Sequence, residues 1–235
     1  MRRLTPDRVA SRLAFDHRVM LGLHGPTLGA VRAYRTEAER RSGREATKQE
    51  GEAGQVQLYS VDYCFPVLVG PGPTIDKVTA LFNTEGSDNY PFTGPTVTIV
   101  SRPLPWGPHI HPANGLVCQG SAWEESQGRM LLGHLVVHVA RLLNLDEPDR
   151  GARGDGYNHE AIAYWRARLG GNPLHPELEY PKLPVEVTHP TGRPPTEAPR
   201  FTPAPATPAR RAGFRPLGAP VVERRAGFVP LRRPE

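Results

Sequence analysis

Cys118 is the residue whose type and neighbours are best equipped for covalent chemistry. It follows Asn114-Gly115-Leu116-Val117 and precedes Gln119-Gly120-Ser121, with Pro108-His109-Ile110-His111-Pro112 just upstream. A nucleophilic thiol needs exposure, room for an acyl donor and a route to the thiolate. Asn-Gly forms turns, and glycine on both sides of a cysteine lets a second backbone come close. The other cysteine, Cys64, sits between Tyr63 and Phe65 in an alternating apolar run and reads as a core residue. Two cysteines are too few for a disulfide framework.

Other chemistries fit the same residues less well. His109 and His111 form a His-x-His pair that could supply two metal ligands from a strand, but Glu124 is poorly placed to complete the set. His134 and His138 have the helical spacing of a zinc pair, yet Leu135 occupies the glutamate position of His-Glu-x-x-His. They read as a polar edge beside an apolar stripe. Nothing like a hydrolase motif surrounds Ser121 or Cys118. The expected site therefore holds no metal and no cofactor.

Several elements must position that thiol. Thr5 and Pro6 signal a helix start, followed by Val9, Leu13 and Met20 at near-helical spacing. Residues 28–41 are expected to form a second short helix, and 40–54 to be an exposed polar loop. Residues 55–69 alternate and are rich in β-branched and aromatic side chains, which predicts a strand. After the turn Gly70-Pro71-Gly72-Pro73, residues 77–83 and 96–101 are two further strand candidates. No crossover helix separates the three, so an antiparallel meander is expected. Beyond the cysteine, Met130, Leu131, Leu135, Val139, Leu142 and Leu143 mark a helix, and 146–155 is a polar break. Asn158 caps another helix carrying Ala161, Ile162, Trp165 and Leu169, stopped by Gly170-Gly171. The order is N-terminal helix, meander, irregular cysteine loop and C-terminal helices: an α+β domain over residues 1–180.

Composition changes at 181. Of 235 residues, 27 are proline, and 13 of these fall in 181–235. That segment holds ten Lys/Arg against four Asp/Glu, a net of +6, leaving 19 and 20 for the rest, a net of −1. The basic pI thus belongs to a tail expected to be disordered, and gives no support to nucleic-acid binding by the folded part. Within the tail, Arg210-Arg211-Ala212-Gly213-Phe214-Arg215-Pro216-Leu217 returns as Arg224-Arg225-Ala226-Gly227-Phe228-Val229-Pro230-Leu231. The repeat reads as paired linear motifs for a partner, or as drift in a low-complexity segment. No signal peptide follows Met1-Arg2-Arg3, and no run approaches the ~20 apolar residues of a membrane helix. A cytoplasmic protein with reduced thiols and no membrane partner is expected.

The wider neighbourhood of the thiol adds a family likeness. Tyr90-Pro91-Phe92-Thr93-Gly94-Pro95, the Pro-His-Ile-His-Pro loop, Asn114-Gly115-Leu116-Val117-Cys118 and then Trp123 before a leucine-rich helix together resemble the active-site region of ubiquitin-conjugating enzymes. The spelling, including the Ala161-Ile162-Ala163-Tyr164-Trp165 helix, is similar to the divergent bacterial branch. The likeness covers roughly 6–178 and is specific only between Tyr90 and Leu143. Gly94 stands where the family's Tyr-Pro-x-x-Pro-Pro pattern has its first closing proline. Counted without a gap, Pro108-His109-Ile110 falls on the His-Pro-Asn triplet, so the asparagine position holds Ile110.

That resemblance implies a UBC-like fold in which Cys118 carries a ubiquitin-like protein as a thioester. The cargo would arrive from an adenylating activating enzyme and leave for an unknown target protein. It further implies structural roles for Tyr90, Pro91, Pro95, Gly115 and Trp123. His109, His111, Asn114 or backbone N–H groups are the replacements on offer for the missing amide. The same fold also serves as catalytically inactive adaptors that only bind partners; these usually lack the cysteine. A thiol-sensitive adduct separates the two.

Overall fold

Pro6 opens the first helix, α1 (Pro6–Leu21), where its missing N–H falls in the turn that has no internal acceptor; Thr5 precedes it in extended conformation without a side-chain cap bond. The computed structural model describes residues 4–86, 89–119, 122–146 and 156–184. Both copies of the tail repeat, Gly120, Ser121 and most of the 146–155 break lie outside the described residues.

The architecture is α+β. Strands β1 (Leu28–Tyr34), β2 (Leu58–Tyr63), β5 (Val78–Asn83) and β6 (Thr96–Ile99) form one antiparallel sheet in the order β1-β2-β5-β6. The expected meander is therefore present with a fourth strand ahead of it. Between β2 and β5, the short pair β3 (Val67–Leu68) and β4 (Thr74–Ile75) closes around the Gly-Pro-Gly-Pro turn. Tyr59, Val61, Tyr63, Val78, Ala80, Phe82, Val97 and Ile99 point to one face and are buried together. That face is covered by α1 and by α5 (Leu132–Leu143), whose Leu132, Leu135, Val136, Val139, Leu142 and Leu143 form its apolar stripe. Each such side chain taken from water stabilises the fold by about 1.5–3 kcal/mol. Tyr63 spends its hydroxyl on the Val136 carbonyl at 2.9 Å, so its burial leaves no polar group unmet.

Three expectations need correction. Residues 28–41 are not a helix: 28–34 are strand β1, paired with β2 from Leu28↔Tyr63 to Tyr34↔Leu58, and only then does α2 (Glu37–Ser42) begin. The stretch 40–54 is not simply a loop, because it holds the end of α2 and the one-turn helix α3 (Lys48–Glu52). Thr47 and Glu50 cap that turn reciprocally, and Arg35 and Arg44 pair with Glu39 and Glu50 around it. Charge here is organised rather than merely solvated. Cys64 is exposed and not a core residue. Tyr63 and Phe65 do point inward, and strand alternation sends the residue between them outward.

The C-terminal helices follow the sequence closely. Asn158 Oδ1 accepts from the Ala161 N–H at 3.1 Å and caps α6 (His159–Arg168), while Gly170 and Gly171 adopt positive φ just beyond it. Pairing continues to Lys182, which exchanges backbone bonds with His24, and Leu183 packs against the core. Among the described residues, no helix is long and apolar enough to cross a membrane.

Candidate functional site

The cysteine loop is more regular than its proline content suggests. Ile110 and Val117 form an antiparallel bridge, flanked on one side by His111 N–H to Leu116 O at 2.9 Å and on the other by Cys118 N–H to His109 O at 2.8 Å. His109 and Cys118 are therefore directly opposite each other, and residues opposite in a ladder share a face. Period-2 alternation then sorts the segment. Ile110 and Val117 enter the core at 1% and 4% exposure, while His109, His111, Leu116 and Cys118 lie on the other face and stay half-buried.

This short ladder is stitched to the main sheet. Thr98 bridges Leu116, Ile99 N–H donates to Gly115 O at 2.8 Å, and Val117 N–H to Val97 O at 2.9 Å. Gly115 is required twice over. Its φ of +74° is left-handed, and a Cβ there would stand 2.5 Å from Ile99 O. Asn114 works on the same turn: its Oδ1 accepts from Leu116 N–H at 3.0 Å, at an exposed tip. Asn114 thus shapes the loop.

A second layer of contacts holds the segment that precedes the site. The Tyr90–Pro91 peptide is cis, and Trp123, in the short helix α4 (Ala122–Glu125), donates its indole N–H to Pro91 O at 2.8 Å. The Tyr90 hydroxyl donates to Asp16 of α1, which also accepts from Arg12 Nε at 2.6 Å and from Leu132 N–H at 3.0 Å. Burial first, then the Asp16 carboxylate, pushes the Tyr90 phenol well above its ordinary pKa of 10.0, so it stays a donor. Gly94 passes so close under Trp123 that a Cβ would meet Cγ of the indole at 2.9 Å. That is a steric reason for glycine at this position. Gln119 Nε2 donates to Pro95 O at 2.6 Å, tying the residue after the thiol to this same segment.

Gly115 thus holds the loop itself, Pro95 is tied to Gln119, and Tyr90, Pro91 and Trp123 fix the segment that leads into the site. His109 and His111 share the face of Cys118, and Asn114 lies apart at the tip. Ile110 is a core side chain and points away from the thiol. Among the described residues, no three His, Cys, Asp or Glu side chains converge closely enough to hold a metal ion. His134 is exposed on α5, and its Nδ1 accepts from Leu131 N–H at 3.3 Å, so it caps a helix.

No protein-family model, curated protein or solved structure matches this chain. The site must speak for itself.

Two residues at the site escaped the sequence. Gln119 gave no signal beyond following the cysteine. Tyr157 arrives from 46 residues beyond His111, its ring edge-on to that imidazole with centroids 5.3 Å apart at 67°. The segment that delivers it is anchored by Asn158 N–H donating to Pro108 O at 3.1 Å. The Asn158 cap was legible; that it docks on the cysteine loop was not.

Proposed function

We propose that this chain is a ubiquitin-conjugating-type carrier enzyme with a UBC-like fold, and that Cys118 holds a ubiquitin-like protein as a thioester. The observation that carries the reading is the ladder that presents a half-exposed Cys118 beside two histidines, on a frame built from Tyr90, Pro91 and Trp123. An acyl carrier needs a rigid backbone, an accessible sulfur and space for a second chain. The sheet-anchored turn supplies the rigid backbone, and Cys118 on its outward face is partly open to solvent.

In the charging step, the Cys118 thiolate attacks the carbonyl carbon of the cargo thioester on an adenylating activating enzyme. The new C–S bond forms as the old one breaks, and the activating enzyme's thiolate leaves and takes up the proton that Cys118 released. In the second step a nucleophile of the target, such as an amine, attacks the same carbon. The C–S bond breaks, Cys118 departs as a thiolate, and the proton lost by the attacking amine passes to solvent.

The test mixes the full chain with its activating enzyme, the ubiquitin-like protein and ATP. A mass shift on a non-reducing gel that thiol abolishes, and that Cys118→Ala lacks while Cys64→Ser keeps, is the expected result. A persistent shift in Cys118→Ala overturns the assignment of the nucleophile, and no adduct at all favours a partner-binding adaptor.

A further inference from the structure

Four replacements could serve for an amide missing from the thiol's neighbourhood, and the hydrogen bonds separate them. The Cys118 N–H is spent on His109 O. Asn114 lies at the exposed tip of the turn, outside the paired positions, where its Oδ1 accepts from Leu116 N–H. His109 stands directly opposite the thiol, with its Nδ1 out of contact with solvent. At His111 the contacts fix which ring nitrogen is left to donate. The Ala113 N–H donates to its Nδ1 at 3.3 Å, so the neutral ring carries its proton on Nε2. Tyr157 packs edge-on against the same ring and fixes its plane, from a position 41% exposed.

We propose that His111 donates its Nε2–H to the oxyanion formed when a nucleophile attacks an acyl group on Cys118, with Tyr157 as its positioning residue; this rests on the reading of Cys118 as an acyl carrier. Register places His111 on the thiol's face, diagonal to Cys118 across the ladder, at the distance long side chains bridge. An acyl group extends from Sγ by the carbonyl carbon and its oxygen, which lengthens the reach of position 118 across that diagonal.

The step balances without acid or base from His111. The acceptor nitrogen forms the C–N bond, the carbonyl π pair moves onto oxygen, and Nε2–H hydrogen-bonds that oxygen without giving up its proton. On collapse the C–S bond breaks, Cys118 leaves as a thiolate, and the proton on nitrogen passes to solvent. A donor aimed where charge develops lowers the barrier because it needs no reorientation.

The experiment needs neither activating enzyme nor natural cargo, so its failure is distinct from failure of the carrier reading. Cys118 is acylated with a small aryl thioester in a Cys64→Ser background, and aminolysis by free lysine is followed by mass spectrometry. His111→Ala is expected to slow aminolysis about tenfold or more. His111→Gln, which restores an N–H donor, recovers much of the rate. Tyr157→Ala slows the reaction less than His111→Ala. Long-range proton–nitrogen correlation on the wild-type chain is expected to place the His111 proton on Nε2. An unaltered rate in His111→Ala, a proton found on Nδ1, or a Cys118 that resists acylation overturns the proposal.

Discussion

Trp123 donates its indole N–H to the carbonyl oxygen of Pro91 at 2.8 Å, and the same indole packs on Tyr90 with ring centroids 5.9 Å apart. One side chain just after the cysteine therefore fastens the residues that lead into the site. Trp123→Phe keeps much of the apolar bulk but leaves a buried carbonyl without its donor, at a cost of about 1–3 kcal/mol. Trp123→Ala adds a cavity and is expected to cost about 3–5 kcal/mol. Denaturant midpoints measure both; a Phe variant as stable as the wild type removes the indole hydrogen bond from the account.

Ile110→Asn spells the asparagine of the His-Pro-Asn pattern at its counted position, yet it does not supply a working amide. The side chain at 110 is 1% exposed and bridges Val117 from the core face. An amide there loses the apolar contact and is buried without a partner, for a combined cost of about 3–5 kcal/mol. The expected outcome is a destabilised chain with no gain in aminolysis from acylated Cys118. Faster aminolysis at preserved stability contradicts the orientation of Ile110.

His17 gives the fold a pH dependence with a definite sign. Its ring is buried, with Nδ1 3.3 Å from the Tyr59 hydroxyl and Gly51 of α3 pressed against the other side. Burial lowers its pKa below the ordinary 6.5, and the pull of Glu52 upward is the smaller effect. The unfolded chain then takes up a proton at about 6.5 that the folded chain refuses until lower pH, so the unfolded state binds more protons in that window. Stability from this group is complete above about pH 6.5 and falls as pH drops below it. Urea midpoints across that range are expected to show the decline, and His17→Gln to flatten it; parallel profiles for the two chains exclude His17 as the source.

Legibility followed the strength of local patterns. The apolar stripe of α5, the Asn158 cap and the alternation of β2 and β5 were all readable, because each is fixed by residues close in sequence. Strand β1 was not, since Leu28-Gly29-Ala30-Val31-Arg32-Ala33-Tyr34 has little β-branched content and becomes a strand by pairing with β2. Cys64 reads as core from its apolar neighbours Tyr63 and Phe65, although the alternation that buries those two dictates the opposite face between them. At the site, the thiol and both histidines were legible as residues. Their arrangement was not, because two prolines hid the register of Ile110 with Val117, and Tyr157 reaches His111 through a distant helix cap.

The bonds from β6 to the 115–117 segment, and from that segment back to 109–111, leave the Cys118 main chain little room to adjust. What stays variable at the thiol is rotation about its own Cα–Cβ bond. Moving the sulfur between staggered positions takes no backbone motion. Under the proposed carrier function, loading and unloading would share one fixed pivot, and any timing between them would come from what approaches it.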